Sequence, residues 1–254
     1  FVDDADVIYR PQTERVLHAA ERPGGELAVR GVMQPDKPWE AAIGYTSLYH
    51  APPAERAKTG GPAYFLWYQA CPPGCGVATN DGGCVVCLAT SDDGYNWTKP
   101  KLGLHPAIEG FNGTVIAPAS ETNIVLGSPP EQDGKPGYKQ THYGASVYVE
   151  PWTNRQNEQS DPRRFKMAYW AVQGGYGVRR KTDPYGIFVA FSPDGYHWTR
   201  YTDPDGAPQI IGQCQSEGIE SPYSDEVADG KAAMDNSTIW PIPFGAGDVV
   251  DVYF

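Results

Sequence analysis

An eight-residue pattern occurs twice in this chain. Ser91-Asp-Asp-Gly-Tyr-Asn-Trp-Thr98 and Ser192-Pro-Asp-Gly-Tyr-His-Trp-Thr199 lie 101 residues apart and agree at six of their eight positions. The chemistry of such a segment is that of a tight turn. The aspartate at its third position accepts hydrogen bonds from backbone N–H groups just ahead of it, the glycine takes positive φ, and the tryptophan packs beneath the hairpin. Two strand-like runs precede each copy, residues 63–69 and 84–90 in the first, 165–170 and 186–191 in the second. They are rich in β-branched, aromatic and other apolar residues, and Gly and Pro bound them. Residues 42–49 and 145–149 stand further upstream as the first strand of each unit.

These units read as an all-β fold of repeated antiparallel sheets with three or four strands each. Their period suits the blades of a β-propeller carrying long inserted loops. The approximate units are 36–104, 116–200 and an incomplete third, 235–254, within one partial domain spanning 1–254. About two and a half blades cannot close a ring, since propellers have at least four. The chain starts at Phe1 and stops inside a strand-like run, so it reads as a fragment; any export signal would lie upstream of Phe1, and the compartment stays open, with secretion or a periplasmic location as options. Composition agrees with short strands and many turns: 29 glycines, 24 prolines and only 20% charged residues. One short helix is expected between Gln12 and Arg22, ended by Pro23. A net charge of −11 with no basic run repels nucleic-acid phosphates and anionic lipid, which excludes a nucleic-acid partner. No apolar run approaches the roughly 18 residues of a membrane span.

The motifs resemble those of the five-bladed β-propeller glycoside hydrolases, the superfamily of families 32 and 43. The likeness rests on Phe1-Val-Asp-Asp4, Asp36-Lys-Pro-Trp-Glu40, and Ser91 through Trp97 to Pro100-Lys-Leu-Gly-Leu104. It implies five blades in the parent, a carbohydrate substrate, and carboxylates drawn from the first three blades toward the axis. The turns are also similar to the Asp boxes of sialidases, although each is one residue shorter between Asp and Trp.

Glycosidic cleavage needs a protonated acid and an ionised base or nucleophile across the scissile bond. Asp36 and Glu40 flank Trp39 just ahead of the first strand, so either acid is a candidate base or nucleophile and Trp39 a candidate stacking surface for a sugar. Asp4 is a weaker candidate. In the second unit Asn123, within Glu121–Leu126, is placed at the matching strand start as a donor or acceptor to a sugar hydroxyl. Gly218-Ile-Glu-Ser-Pro222 is similar to the family elements that hold the general acid, which makes Glu220 the preferred acid, with Asp235 competing for a place on the axis. His105, following Leu102-Gly-Leu104, is a candidate for the cleft wall. Each of these also has a structural explanation: a turn for Asp36, core for Trp39, a capped turn for Asn123, a solvated acidic loop for Glu220.

Cys71, Cys75, Cys84 and Cys87 form a C-x3-C-x8-C-x2-C cluster around a hairpin loop. It is read three ways: a disulfide from Cys71 or Cys75 to Cys84, free thiols, or a structural zinc site. In a regular strand Cys84 and Cys87 face opposite sides, which disfavours four convergent thiolates. No cofactor motif is present: there is no phosphate-cradling glycine loop and no Gly-x-Ser-x-Gly elbow. Two functions remain, a glycosidase acting on a polysaccharide or oligosaccharide, and a non-catalytic propeller that binds carbohydrate or protein.

Overall fold

The computed structural model describes residues 25, 31–73, 84–109, 114–127, 140–151, 161–173, 185–202, 210–212, 238–241 and 250–253. Phe1–Gly31 forms one compact unit and Val32–Phe254 a second. The expected 12–22 helix, Asp4, Cys75, Cys214, Glu220 and Asp235 lie outside the described residues.

The second unit is all-β, with two main antiparallel sheets. In the first, β1 (Ala42–His50), β2 (Tyr64–Cys71), β3 (Val85–Ser91) and β6 (Ile124–Leu126) lie in the order β1-β2-β3-β6. In the second, β7 (Gln140–Val149), β8 (Phe165–Gln173), β9 (Tyr185–Ser192) and β10 (Thr199–Arg200) repeat that order, and β11 (Ile210–Gly212) also pairs with β9. Two small hairpins complete the described strands: β4 (Ala107–Glu109) with β5 (Thr114–Ala117), and β12 (Thr238–Pro241) with β13 (Val250–Tyr253). A seven-residue helix α1 (Pro53–Thr59) fills the β1–β2 connection and ends at Gly60 in the left-handed conformation.

The sequence repeat is a repeat of register. Tyr64 pairs with Ser91 in the first sheet, and Phe165 with Ser192 in the second. Each first strand carries a bulge at the same place, between Gly44 and Ser47 in β1 and between Tyr143 and Ser146 in β7. One sequence expectation is corrected here. The Glu121–Leu126 segment, placed above at the start of the second unit, instead supplies β6, whose Leu126 and Ile124 pair with Val86 and Cys87 of β3. Its three residues are all buried, so their apolar character marks a sheet-closing strand as readily as a leading one.

Both turns form as their residues dictate, atom for atom. Asp93 Oδ1 accepts from the N–H groups of Tyr95 (2.8 Å) and Asn96 (2.7 Å), and Ser91 Oγ accepts from Gly94 N–H at 2.9 Å. In the second copy Asp194 Oδ1 accepts from Tyr196 and His197 N–H, both at 2.8 Å, and Ser192 Oγ from Gly195 N–H at 2.8 Å. Each indole donates back to the turn glycine's carbonyl at 3.0 Å, Trp97 to Gly94 and Trp198 to Gly195. Gly94 and Gly195 have φ of 76° and 80°, which a side chain rarely tolerates. The backbone donors of Asn96 and Tyr95 hold the Asp93 carboxyl far below the ordinary carboxylate range. Burial opposes the same effect in Asp194, where His197 and Tyr196 still draw it down.

The two sheets pack face to face. Phe65, Trp67, Val86 and Leu88 of the first meet Phe165, Met167, Tyr169 and Phe188 of the second in one buried cluster. Trp67, fully buried, donates its indole N–H to Gly195 O of the opposite turn at 2.9 Å, so that carbonyl serves two tryptophans. The leading strands also meet: Ser47 Oγ donates to Val147 O (3.3 Å) and accepts from Val147 N–H (2.9 Å). Where β1 ends, the Glu55 carboxylate of α1 accepts from both terminal guanidinium nitrogens of Arg164, at 2.8 and 2.7 Å, and from the hydroxyl of Tyr49 at 2.5 Å. This buried fork ties the helix to the start of β8.

Candidate functional site

The segment ahead of β1 folds back on itself. Lys37 O accepts from Glu40 N–H at 3.0 Å, and Glu40 Oε2 in turn accepts from the backbone N–H groups of Asp36 (3.0 Å) and Lys37 (3.2 Å). This reciprocal turn presents Asp36 outward and Glu40 inward. The Glu40 side chain is 0% exposed and that of Asp36 58%. Lys99, just past the first repeated turn, links them. Its Nζ donates at 2.6 Å to Glu40 Oε2, at 2.6 Å to Asp36 Oδ1, and at 2.7 Å to Gln34 O. Burial of Asp36 is slight and works against ionisation, but the Lys99 bond and charge outweigh it and lower the carboxyl below its ordinary value.

The second oxygen of Glu40 faces the sheet. Tyr68 donates to Glu40 Oε1 at 2.6 Å, and Asn123 Nδ2 donates to the Tyr68 hydroxyl at 2.7 Å and to Leu88 O at 2.8 Å. Trp39 closes the chain of bonds, its indole N–H reaching Asn123 Oδ1 at 3.3 Å. Trp39 and Asn123 are buried in the first sheet's outer core with Cys87. Burial first, then the nearby Cys87 and Glu40, pushes the Tyr68 phenol well above its usual range, and burial with Glu40 does the same to the Cys87 thiol. Both groups are therefore neutral hydrogen-bonding or packing elements.

Of the residues singled out from sequence, Asp36, Trp39, Glu40 and Asn123 do converge. They converge as a buried network with only Asp36 open to solvent. Trp39 and Asn123 face each other and offer no surface to a sugar. The His105 side chain takes no part in these bonds and lies beside Gly127 and near Arg200, while its carbonyl accepts from the Thr122 hydroxyl. Burial, then the Arg200 charge, pushes its imidazole down to about 4. The sign follows: a histidine held neutral in the fold but titrating near 6.5 when unfolded supports the native state fully above 6.5 and loses that support as pH falls toward 4. Thermal melts should accordingly show a midpoint falling between pH 7 and pH 4.5. The buried His142, pushed down by the same burial and Arg200 charge, adds to that slope, so His105→Gln should make it shallower without abolishing it; a slope unchanged in His105→Gln would place the titration elsewhere.

Lys99 and Tyr68 were not singled out from the sequence. Nothing local marks them, since Lys99 reaches Glu40 across 59 residues and Tyr68 reaches it across 28.

The cysteine cluster resolves to a disulfide between Cys71 and Cys84, at facing ends of β2 and β3. Cys87 is a buried thiol turned to the other face, against Tyr68. Two of the four sulfurs needed for zinc are thus bonded to each other, and the four-thiolate reading is set aside. No group of three or more potential metal ligands occurs among the described residues. Closing a loop across 13 positions stabilises by up to about 3 kcal/mol through the unfolded chain. Reduction, or a paired Cys71→Ala and Cys84→Ala change, should lower the melting temperature by about 5–10 °C. A melt insensitive to reductant would contradict the bridge.

A cleft of about 270 Å³ opens at the opposite end of the sheets, among Ala51, Glu55, Arg164, Phe165, Asp194 and Tyr196. It contains none of the sequence candidates. No helix among the described residues is long and apolar enough to cross a membrane.

No family model, no curated protein and no solved structure matches this chain.

Proposed function

We propose that the two sheets are neighbouring blades of a β-propeller and that the protein hydrolyses a glycosidic bond in a polysaccharide or oligosaccharide. The blade reading draws support from the shared register, the shared bulge, the shared turn and the meeting of the two leading strands at Ser47 and Val147. One observation carries the chemistry. Among the described residues, Asp36 is the sequence-predicted carboxylate that is open to solvent, and Lys99 with Lys37 lowers its carboxyl just ahead of the leading strand. An exposed ionised carboxylate there suits a base or nucleophile. Glu220 remains the proposed acid, on the sequence resemblance alone. Glu40 takes a supporting part: it aligns Lys99 and the turn that presents Asp36.

The second reading, a propeller that binds carbohydrate or protein without turnover, is favoured by a different observation. Glu40, Trp39 and Asn123 are sealed from solvent, which removes three groups from any substrate-facing surface. A screen on aryl glycosides and on plant, algal and bacterial polysaccharides, with Asp36→Asn and Glu220→Gln alongside wild type, separates the two. Sugar release abolished by both changes supports hydrolysis. Binding without release supports the second reading, and release surviving Asp36→Asn removes Asp36 from the chemistry.

A further inference from the structure

The second sheet sends one cation into the space between the sheets. Arg200 stands opposite Ala190 of β9, and Ala190 belongs to the core that the two sheets share, so the arginine side chain leaves on that face. Its Nη2 donates to Gly127 O, just past β6 of the first sheet, and lies 3.5 Å from His142 Nε2. His142 Nδ1 faces the Cys84 carbonyl at 3.2 Å, which places the ring proton on Nδ1 and leaves Nε2 an acceptor. Burial, then the Arg200 charge, holds both His142 and His105 neutral near pH 7. Neither balances the guanidinium, and among the described residues no carboxylate bonds to it.

Two donors in this cluster have no acceptor. Arg200 Nε and the Tyr169 hydroxyl are both buried without a hydrogen-bond partner among the described residues. Tyr169 is fully enclosed, its ring 5.4 Å from that of His142, and Arg200 lies close enough to temper the upward push that burial gives its phenol. An unpaired buried donor is costly, and a buried charge without a counter-charge more so. We propose that Arg200 and Tyr169 form a binding site for one small monovalent anion of the chloride type, held between the two sheets. A single cation calls for a single negative charge, which a water molecule does not carry. Size follows from the packing: a Cβ on Gly127 would already meet His105 and Ile124 at 3.4 Å, which leaves no room there for a phosphate or an organic acid. Arg200 is half-buried, so the ion has a route from solvent. By fixing the guanidinium the ion also fixes its bond to Gly127, and so fastens β10 to the end of β6.

The test follows thermal melts of the whole protein as sodium chloride replaces sodium gluconate at constant ionic strength, over about a hundredfold range of chloride. Chlorine NMR line width reads binding directly. Wild type should melt about 5 °C higher at the upper end of that range, and Arg200→Met should lose the dependence. Tyr169→Phe keeps the ring and removes the hydroxyl alone, so its effect should change sign with the ion. In gluconate it should melt at or slightly above wild type, because an unpaired buried donor is gone. In chloride it should melt below wild type, with the chloride midpoint raised about tenfold. Equal melting of wild type in chloride and gluconate, without line broadening, overturns the site. An unchanged chloride midpoint in Tyr169→Phe overturns it as well, and that readout stands even where Arg200→Met fails to fold.

Discussion

Lys99→Met should destabilise the protein by about 3–5 kcal/mol, the cost of removing one partner from a buried ion pair. The change leaves the Glu40 carboxylate inside the first sheet, 0% exposed, with no charge to offset it. Its remaining partners, the Tyr68 hydroxyl and the N–H groups of Asp36 and Lys37, soften the loss without replacing a cation. Methionine keeps most of the lysine stem, so packing is largely conserved and the effect reports on charge. In a unit of this size the loss corresponds to a melting shift of at least about 6 °C. Adding Glu40→Gln to Lys99→Met should restore part of the stability, because the orphaned charge disappears while most hydrogen bonds survive. A Lys99→Met protein melting within about 2 °C of wild type would mean that Glu40 is not sealed and would reopen it as a catalytic carboxylate. The same variant bears on function. Without Lys99, Asp36 keeps only Lys37 to lower its carboxyl and titrates closer to its ordinary value, so the acid limb of any activity profile should move to higher pH.

Gly195→Ala should cost about 2–5 kcal/mol, and Gly94→Ala only about 1–2 kcal/mol, although the two glycines hold the same place in the same turn. Both adopt left-handed φ, so both variants carry the backbone penalty of a Cβ there. Their surroundings differ. A Cβ on Gly94 meets the Tyr64 ring at 3.6 Å, ordinary contact. On Gly195 it meets Trp67 Cζ2 at 2.9 Å and Phe165 Cε1 at 3.1 Å. Neither ring can yield cheaply, since Trp67 and Phe165 are buried between the sheets and the Trp67 indole is bonded to Gly195 O itself. Urea unfolding of the two variants checks the difference. Equal losses would show that the sheets do not press on the second turn.

What could be read from the chain alone was whatever acts over a few residues. Ser91, Asp93 and Gly94 bond to atoms two or three positions away, so the turn, its glycine φ and its repetition at Ser192 follow from residue chemistry. The runs flanking those turns announced antiparallel strands for the same reason. The strand pattern was less informative at Ile124–Leu126, where three buried apolar residues carry no sign of which sheet they join. The cysteine spacing allowed three outcomes, and only the pairing of β2 with β3 set Cys71 against Cys84 and turned Cys87 away. The candidate site divides along the same line. The Asp36–Glu40 motif was visible as a pair of carboxylates around a tryptophan, with no hint of which was open. Burial of one and exposure of the other were decided by Lys99, Tyr68 and Asn123, which arrive from 59, 28 and 84 residues away in contact with Glu40 or Trp39. Tertiary structure alone makes that choice, because the energy of a carboxylate depends on the charges and donors that folding brings around it.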